Sequence, residues 1–344
     1  MSFQESSSTN ATQAEMARIT VLPSSHHFES VGAETILEGA LRASVPLNYG
    51  CSGGSCGLCK AKVVSGEIKK TRFHDYVRTE ADKRDGMVLM CSNSAVGEVV
   101  IEASVAGGAE EIPLQQISAT VKSITVLTPE MALLHLRTPR TSRLRFLAGQ
   151  SAILTVNQAY SAILSIASCP CDDHNIFFHV RRTANNAFAD YVFNQLKNNE
   201  VVEIEGPKGH FLFHENGNRP LCFFAFDTGF APIKSLIEHA VSLDAGVPIF
   251  LYWIGSTENS IYLPNVGRAW ADALDSFYFS PIVANFDVAN FGNGQEDSFD
   301  ALLHDVKQQR PELAESNVYI AGPAAAINKA HEYFLNAGVP SSQV

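Results

Sequence analysis

The chain has no long apolar run: nothing in it approaches the roughly 18 consecutive apolar residues that a membrane-spanning helix needs. Its start, Met1-Ser-Phe-Gln-Glu-Ser-Ser-Ser-Thr-Asn-Ala-Thr-Gln, lacks the basic opening and apolar core of a secretion signal. Residues 1–16 therefore read as a disordered tail, and the cytoplasm is the expected compartment. Positive charge is scarce, with 25 Lys and Arg against 36 Asp and Glu, a net charge of −11. That balance argues against nucleic acid and anionic membrane as partners. The chain also lacks a P-loop, a paired-carboxylate signature, a Ser or Cys nucleophile arrangement and an internal repeat, so no hydrolytic or phosphoryl-transfer chemistry is expected.

What is present is an ordinary globular balance, 46% apolar and 18% charged over 344 residues, enough for two or three domains. The charge is uneven: −4 over residues 1–112, +1 over 113–217 and −8 over 218–344. A last segment this acidic is an unpromising home for a pyrophosphate.

Cysteine carries the strongest signal. Cys51-Ser-Gly-Gly-Ser-Cys56-Gly-Leu-Cys59 is a C-x4-C-x2-C loop, and Cys91 follows far downstream. This is the plant-type ligand spacing for a [2Fe–2S] cluster. Cluster sulfurs need backbone N–H donors close by, and Gly50, Gly53, Gly54 and Gly57 let the backbone wrap that tightly. The competing reading is a structural zinc site, but zinc usually takes two paired knuckles rather than this loop with a distant fourth cysteine. The other cysteines, Cys169, Cys171 and Cys222, read as buried small apolar residues rather than disulfides. Cys169-Pro-Cys171 has a metal or redox pair as its alternative. His26 and His27 read as surface residues, not ligands.

Around the cysteine loop, Ala17–Leu22 alternates as a strand, His26–Phe28 opens its return, and Gly32–Arg42 has helical spacing with Ile36, Leu37, Ala40 and Leu41 on one face. Residues 61–64 and 97–102 supply further strands, and Cys91 ends the apolar run Met87–Met90. This order resembles the β-grasp fold of plant-type ferredoxins, over residues 17–112. From Ile117, short strands (119–126, 131–136, 151–156) suggest a small antiparallel barrel ending near Gly206-Pro-Lys-Gly-His-Phe211, a domain over 113–217. From Leu221 strands alternate with helices: 221–226, a helix over Pro232–Ser242, 248–253, and 318–323 followed by a helix to Phe334. That predicts an open α/β domain over 218–344.

The three segments together resemble the reductase components of methane monooxygenase and ring-hydroxylating dioxygenases, and most nearly the CDP-6-deoxy-Δ3,4-glucoseen reductase group. Val180-Arg-Arg182, Ala189–Leu196, Ile204-Glu-Gly-Pro207, Thr228–Ser235 and Leu251-Tyr-Trp253 carry the resemblance. It implies a ferredoxin domain, a flavin-binding β-barrel and a nicotinamide-binding α/β domain.

The family's cofactor motifs are largely replaced. Its flavin strand Arg-x-Tyr-Ser-x-Ala-Ser is here Ala162-Ile-Leu-Ser165-Ile-Ala-Ser168, with Ala162 at the arginine and Leu164 at the tyrosine; Ser165 survives. Its Gly-x-x-Ser phosphate loop is Asn186-Ala-Phe-Ala189, where Asn186 reads as a helix cap. Its Gly-Gly-Thr-Gly turn is Phe226-Asp-Thr-Gly229, its Cys-Gly-Pro is Ala321-Gly-Pro323, and its acidic, aromatic ending is Ser341-Ser-Gln-Val344 here. A carboxylate about 4 Å from a phosphate costs on the order of 4 kcal/mol at a surface-like dielectric. Arg181 and Arg182 are candidates to replace the missing flavin arginine. The expectation is therefore an electron-transfer or accessory subunit. It keeps the [2Fe–2S] cluster on Cys51, Cys56, Cys59 and Cys91, has lost FAD and NAD(P)H, and serves a protein redox partner such as an oxygenase or dehydratase. The alternative is an active NAD(P)H-dependent FAD and [2Fe–2S] reductase feeding such a partner. A third possibility is a structural subunit in which the cluster serves stability. Arg137, Arg140, Arg143 and Arg145 are a candidate docking face for an acidic partner, or a solvated loop.

Overall fold

The computed structural model describes residues 16–344 apart from 44, 50–53, 55–56, 106–111, 140–141, 215–217, 289–290 and 292–293. The chain divides into two compact units, Met1–Val105 and Ala106–Val344.

The first unit runs β1 (Met16–Leu22), β2 (His26–Val31), α1 (Ile36–Arg42), β3 (Lys60–Lys70), α2 (Glu80–Arg84), β4 (Met87–Leu89) and β5 (Asn93–Glu102). Its sheet has the order β2-β1-β5-β3-β4, with β1 parallel to β5 and antiparallel to β2. Helix α1 starts where Thr35 accepts from the Glu38 amide while the Glu38 carboxylate accepts from the Thr35 amide, a capping box that satisfies two end donors. Ile36, Leu37 and Ala40 of the predicted face are buried against Ile19, Val21 and Ile101 of the sheet. This is the β-grasp arrangement expected of the segment.

The second unit begins with β6 (Gln115–Thr128), β7 (Met131–Arg137), β8 (Ser151–Val156), β9 (Tyr160–Ser165), β10 (Asn175–Arg181), α3 (Ala187–Asn194) and β11 (Val201–Lys208). These six strands form one sheet, β10-β7-β6-β11-β8-β9. A bridge between Ile166 and Phe178 brings its two ends toward each other, so the sheet curls into a half-barrel around Leu134, Leu154, Phe178 and Ile204. The chain continues as β12 (Leu221–Phe226), α4 (Phe230–Ser242), β13 (Ile249–Gly255), α5 (Pro264–Ala273), β14 (Phe277–Val283), α6 (Glu296–Gln309), β15 (Asn317–Ala321) and α7 (Ala324–Asn336). The parallel sheet has the order β14-β13-β12-β15. Both of its faces are covered. Phe223 and Ala225 of β12 pack with Phe230, Leu236 and Trp253, while Phe224 and Phe226 pack with Phe299 and Phe334. A strand buried on both sides has no polar alternation, which is why Leu-Cys-Phe-Phe-Ala-Phe reads as one apolar run.

Half-barrel and α/β part are joined through α4. Lys234 Nζ donates to the Ala167 carbonyl at 2.9 Å, Ser235 Oγ to the Ser168 carbonyl at 2.7 Å, and Glu238 accepts from the Cys169 amide at 3.1 Å. The expectation of no disulfide is corrected here: Cys169 and Cys171 are bonded, their Cα atoms 5.2 Å apart across Pro170, while Cys222 is buried within the sheet outside any disulfide. The turn through proline brings the two side chains to one side, which residue type and compartment could not convey. Among the described residues, no helix is long and apolar enough to cross a membrane.

Two imidazoles are locked neutral inside this unit. Burial lowers His179 from 6.5 to about 3, with Lys234 adding repulsion, and burial lowers His239 from 6.5 to about 4. An unfolded chain takes up these protons below pH 6.5 and the folded chain does not, so stability is present above that pH and lost as pH falls. By about pH 5 each histidine should cost on the order of 2 kcal/mol. Denaturant unfolding at the two pH values should show this loss, and His239→Phe should remove its share of the slope.

Candidate functional site

The first site lies on the loop between α1 and β3. Cys59, fully buried, donates its thiol hydrogen to Cys91 with the sulfurs 3.2 Å apart. The Cys91 thiol is lowered to about 6, first by that hydrogen bond, against burial that raises it. The Ser92 hydroxyl and the amides of Cys91 and Gly54 lower it further. Donors already directed at a sulfur suit a thiolate that holds a metal. Gly54 and Gly57 take φ of +79° and +74°, conformations closed to ordinary side chains. A methyl group on Gly54 would lie 2.5 Å from His74 Cβ, and one on Gly57 would overlap the Tyr76 ring. The segment through His74 and Tyr76 thus presses the loop's backbone inward. The structure brings Cys59 and Cys91 together from distant sequence positions; Cys51 and Cys56 lie outside the described residues. His27 is not at this site: its ring hydrogen-bonds Thr20 at 3.0 Å.

The second site is the open edge of β9 with the end of β10 and α3. Strand β9 pairs only with β8. Ala162, Leu164 and Tyr160 pack against the half-barrel core while staying partly exposed, and the Tyr160 ring lies 5.2 Å from that of Tyr191 on α3. On the opposite face Ser165 lies 3.4 Å from the Ser151 hydroxyl, and Ile163 is exposed. Asn186 caps α3 as expected, its Oδ1 accepting from the Ala189 amide at 3.0 Å. An apolar wall beside a helix N-terminus suits a flat ring system carrying phosphates. The residues present therefore fit a flavin nucleotide in its ring and helix contacts, while the arginine is missing. Arg181 and Arg182 do not replace it freely. Arg181 is ion-paired with Asp227 and lies 3.6 Å from Glu130, and Arg182 pairs with Asp190 at 3.0 Å.

The third site is the crevice at the C-terminal ends of β12 and β15, where the strand order of the parallel sheet reverses and ligands of such sheets bind. The two turns there touch. A methyl on Gly229 would overlap the Ala321 carbonyl, and one on Gly322 would lie 2.5 Å from Phe226 Cβ. Phe226 is no obstacle to a ligand, because its fully buried ring packs on Phe299 at 5.3 Å. Asp227 is the residue that matters: it is 3% exposed, with φ of +55°. Trp253 Nε1 donates to its carbonyl at 3.1 Å, and its carboxylate meets Arg181. The unopposed negative charge expected at this turn is therefore neutralised from β10. No sequence pattern pairs a strand residue with a turn nearly fifty positions later.

Among the described residues the arginine cluster does not form one exposed face. Arg145 is buried, Arg143 is paired with Asp173 at 3.3 Å with both side chains largely covered, and Arg140 lies outside the described residues. Arg137 alone of the four is both described and exposed.

Residues 19–95 match the 2Fe-2S iron-sulfur cluster binding domain, and residues 118–213 match the oxidoreductase FAD-binding domain. The chain belongs to the family of reductase components that join these two domains. It is 31% identical over 321 residues to CDP-6-deoxy-L-threo-D-glycero-4-hexulose-3-dehydrase reductase of Yersinia pestis, covering 93% of this chain and 94% of that protein. It is also 31% identical over 264 residues to reductase component 1 of terephthalate 1,2-dioxygenase from Comamonas, covering 76% and 77%. The crystal structure of a cytochrome P450 reductase from Amycolatopsis has the same fold, with a TM-score of 0.58 and 22% identity over 95% of this chain and 97% of that one. The expectation that FAD binding is lost finds no support in these matches, since residues 118–213 of the half-barrel match an FAD-binding domain.

Gly57→Ala should be among the most damaging small changes in the chain, since it demands both a forbidden φ and the Tyr76 ring's volume. Iron and sulfide content after purification should fall to less than half that of the unmodified protein, whereas Gly97→Ala, strained by its φ of +64° but with open space around it and away from the cysteine loop, should leave both unchanged.

Proposed function

We propose that the chain is an NAD(P)H-dependent reductase component. It carries FAD in the half-barrel and a [2Fe–2S] cluster on Cys51, Cys56, Cys59 and Cys91, and it delivers single electrons to a protein partner of the dehydratase or oxygenase type. The observation that carries this reading is the presence of both cofactor domains, 19–95 and 118–213, in one chain that aligns with a dehydrase reductase almost end to end. When bound, a flavin would exchange a hydride for single electrons and the cluster would carry them one at a time.

The chain's own residues supply binding and orientation. The partly exposed Tyr160, Leu164 and Tyr191 border the place for the ring, and the α3 N-terminus supplies the partial positive charge for a phosphate. Beside the cluster loop, Phe73 and Val77 are 78% and 84% exposed, and Leu58 next to Cys59 is also exposed. The segment carrying Phe73 and Val77 is the one that packs on Gly54 and Gly57. Exposed apolar side chains around a metal loop suit a partner that must approach the cluster closely and then leave.

The test is cofactor content of anaerobically purified protein. About two irons and one FAD per chain, with bleaching on addition of NADH or NADPH, are expected. Two irons without flavin or bleaching would restore the accessory-subunit reading. Phe73→Glu should slow electron delivery to the partner by on the order of tenfold while leaving reduction by NAD(P)H unchanged, measured by stopped-flow absorption.

A further inference from the structure

We propose that Asp227 is an internal counter-anion that occupies Arg181 and so sets the affinity of the crevice for phosphate-bearing dinucleotides. The inference rests on the reductase reading for the identity of the ligand, and on the structure for the identity of the residues.

Arg181 stands at the last position of β10 and reaches the turn that follows β12. Its side chain is one quarter exposed, so one side of it faces solvent at the sheet's reversal point, where a dinucleotide would enter. A guanidinium in that place binds a phosphate by two parallel hydrogen bonds. Here two carboxylates already hold it: Asp227, almost fully buried, and Glu130, 3.6 Å away and two thirds exposed. The unit of Arg181, Asp227 and Glu130 carries a net negative charge toward the crevice.

Asp227 is held in place by more than its charge. Its carbonyl accepts from Trp253 Nε1, and that indole stacks on Phe230 with ring centroids 3.7 Å apart and meets the edge of Tyr262. Its φ of +55° lies in the left-handed region, uncommon for non-glycine residues though more open to aspartate than to most. A phosphate that draws Arg181 away from Asp227 leaves a buried carboxylate without a partner. The ion pair therefore acts as a latch, and dinucleotide affinity is the difference between two anions competing for one guanidinium.

Calorimetric titration of the purified holoprotein with NAD+ and NADP+ tests this directly. Asp227→Asn, close in shape and without charge, should bind at least one of the two tenfold or more tighter than the unmodified protein. Asp227→Gly, which also relieves the φ, should do the same. Arg181→Gln should weaken binding strongly in the Asp227→Asn background and only slightly in the unmodified one, because there the guanidinium is already taken. Nicotinamide riboside, which has no phosphate, should show no gain. Equal or weaker dinucleotide binding in both Asp227 variants, with the visible spectrum and thermal midpoint retained, would overturn the latch while leaving the reductase reading intact if the unmodified protein binds. Absence of binding in every variant, with FAD present, would overturn the latch and the nicotinamide half of the proposed function together.

Discussion

The turn leaving β12 has no volume to spare: Gly229 abuts the carbonyl of Ala321, and Gly322 abuts Phe226. Backbone meets backbone at the sheet's reversal point, and much of the larger unit follows from that contact. It holds β12 and β15 in parallel register from Leu221 opposite Asn317 to Ala225 opposite Ala321. It also turns the side chain of Phe226 into the core beside Phe299 and leaves the following residue, Asp227, on the side of the half-barrel. The aromatic group of Phe230, Trp253 and Tyr262 packs behind the turn and keeps it there.

The same constraint links the two parts of the second unit. Helix α4 begins at Phe230, directly after the turn, and its first three turns carry Lys234, Ser235 and Glu238 onto the segment 167–169. Arg181 adds a charged contact from β10 to Asp227. Polar pairing at a joint of this kind specifies orientation, because an unpaired buried donor or acceptor costs more than its bond contributes. The half-barrel's ligand-facing edge and the parallel sheet's crevice are therefore positioned by one set of residues. The first unit follows a separate logic: a capping box at Thr35, a sheet that closes on α1, and a loop wrapped around Cys59 and Cys91 by the residues 74–76.

Much of this was legible in the residues alone. Local periodicity placed α4, β12, β13 and β15 within a residue or two and the end of α1 at Arg42, because their burial patterns are strong and their flanks carry turn residues; α1 starts four residues later than expected, at Ile36 after the Thr35 cap. The cysteine spacing identified the loop that joins Cys59 to Cys91. The step from the replaced flavin residues to lost FAD binding went too far, since residues 118–213 match an FAD-binding domain. A motif records side chains, whereas Leu164, Tyr160 and Tyr191 come together only through packing, and the α3 terminus offers backbone donors that no motif spells out. The arginine cluster failed for the related reason that sequence proximity does not distinguish exposed Arg137 from buried Arg145.

Residue order by itself determined the β-grasp segment, the half-barrel, the α/β segment and the chemistry of the cysteine loop, because each depends on spacing along the chain. Tertiary structure decided the charges. Asp227 read in isolation is an uncompensated negative charge at a nucleotide crevice, and Arg181 read in isolation is a spare cation. Folding sets one against the other across 46 positions of sequence, so the charge that each presents depends on its partner. Electrostatic energy depends on distance and burial, and both are properties of the folded chain.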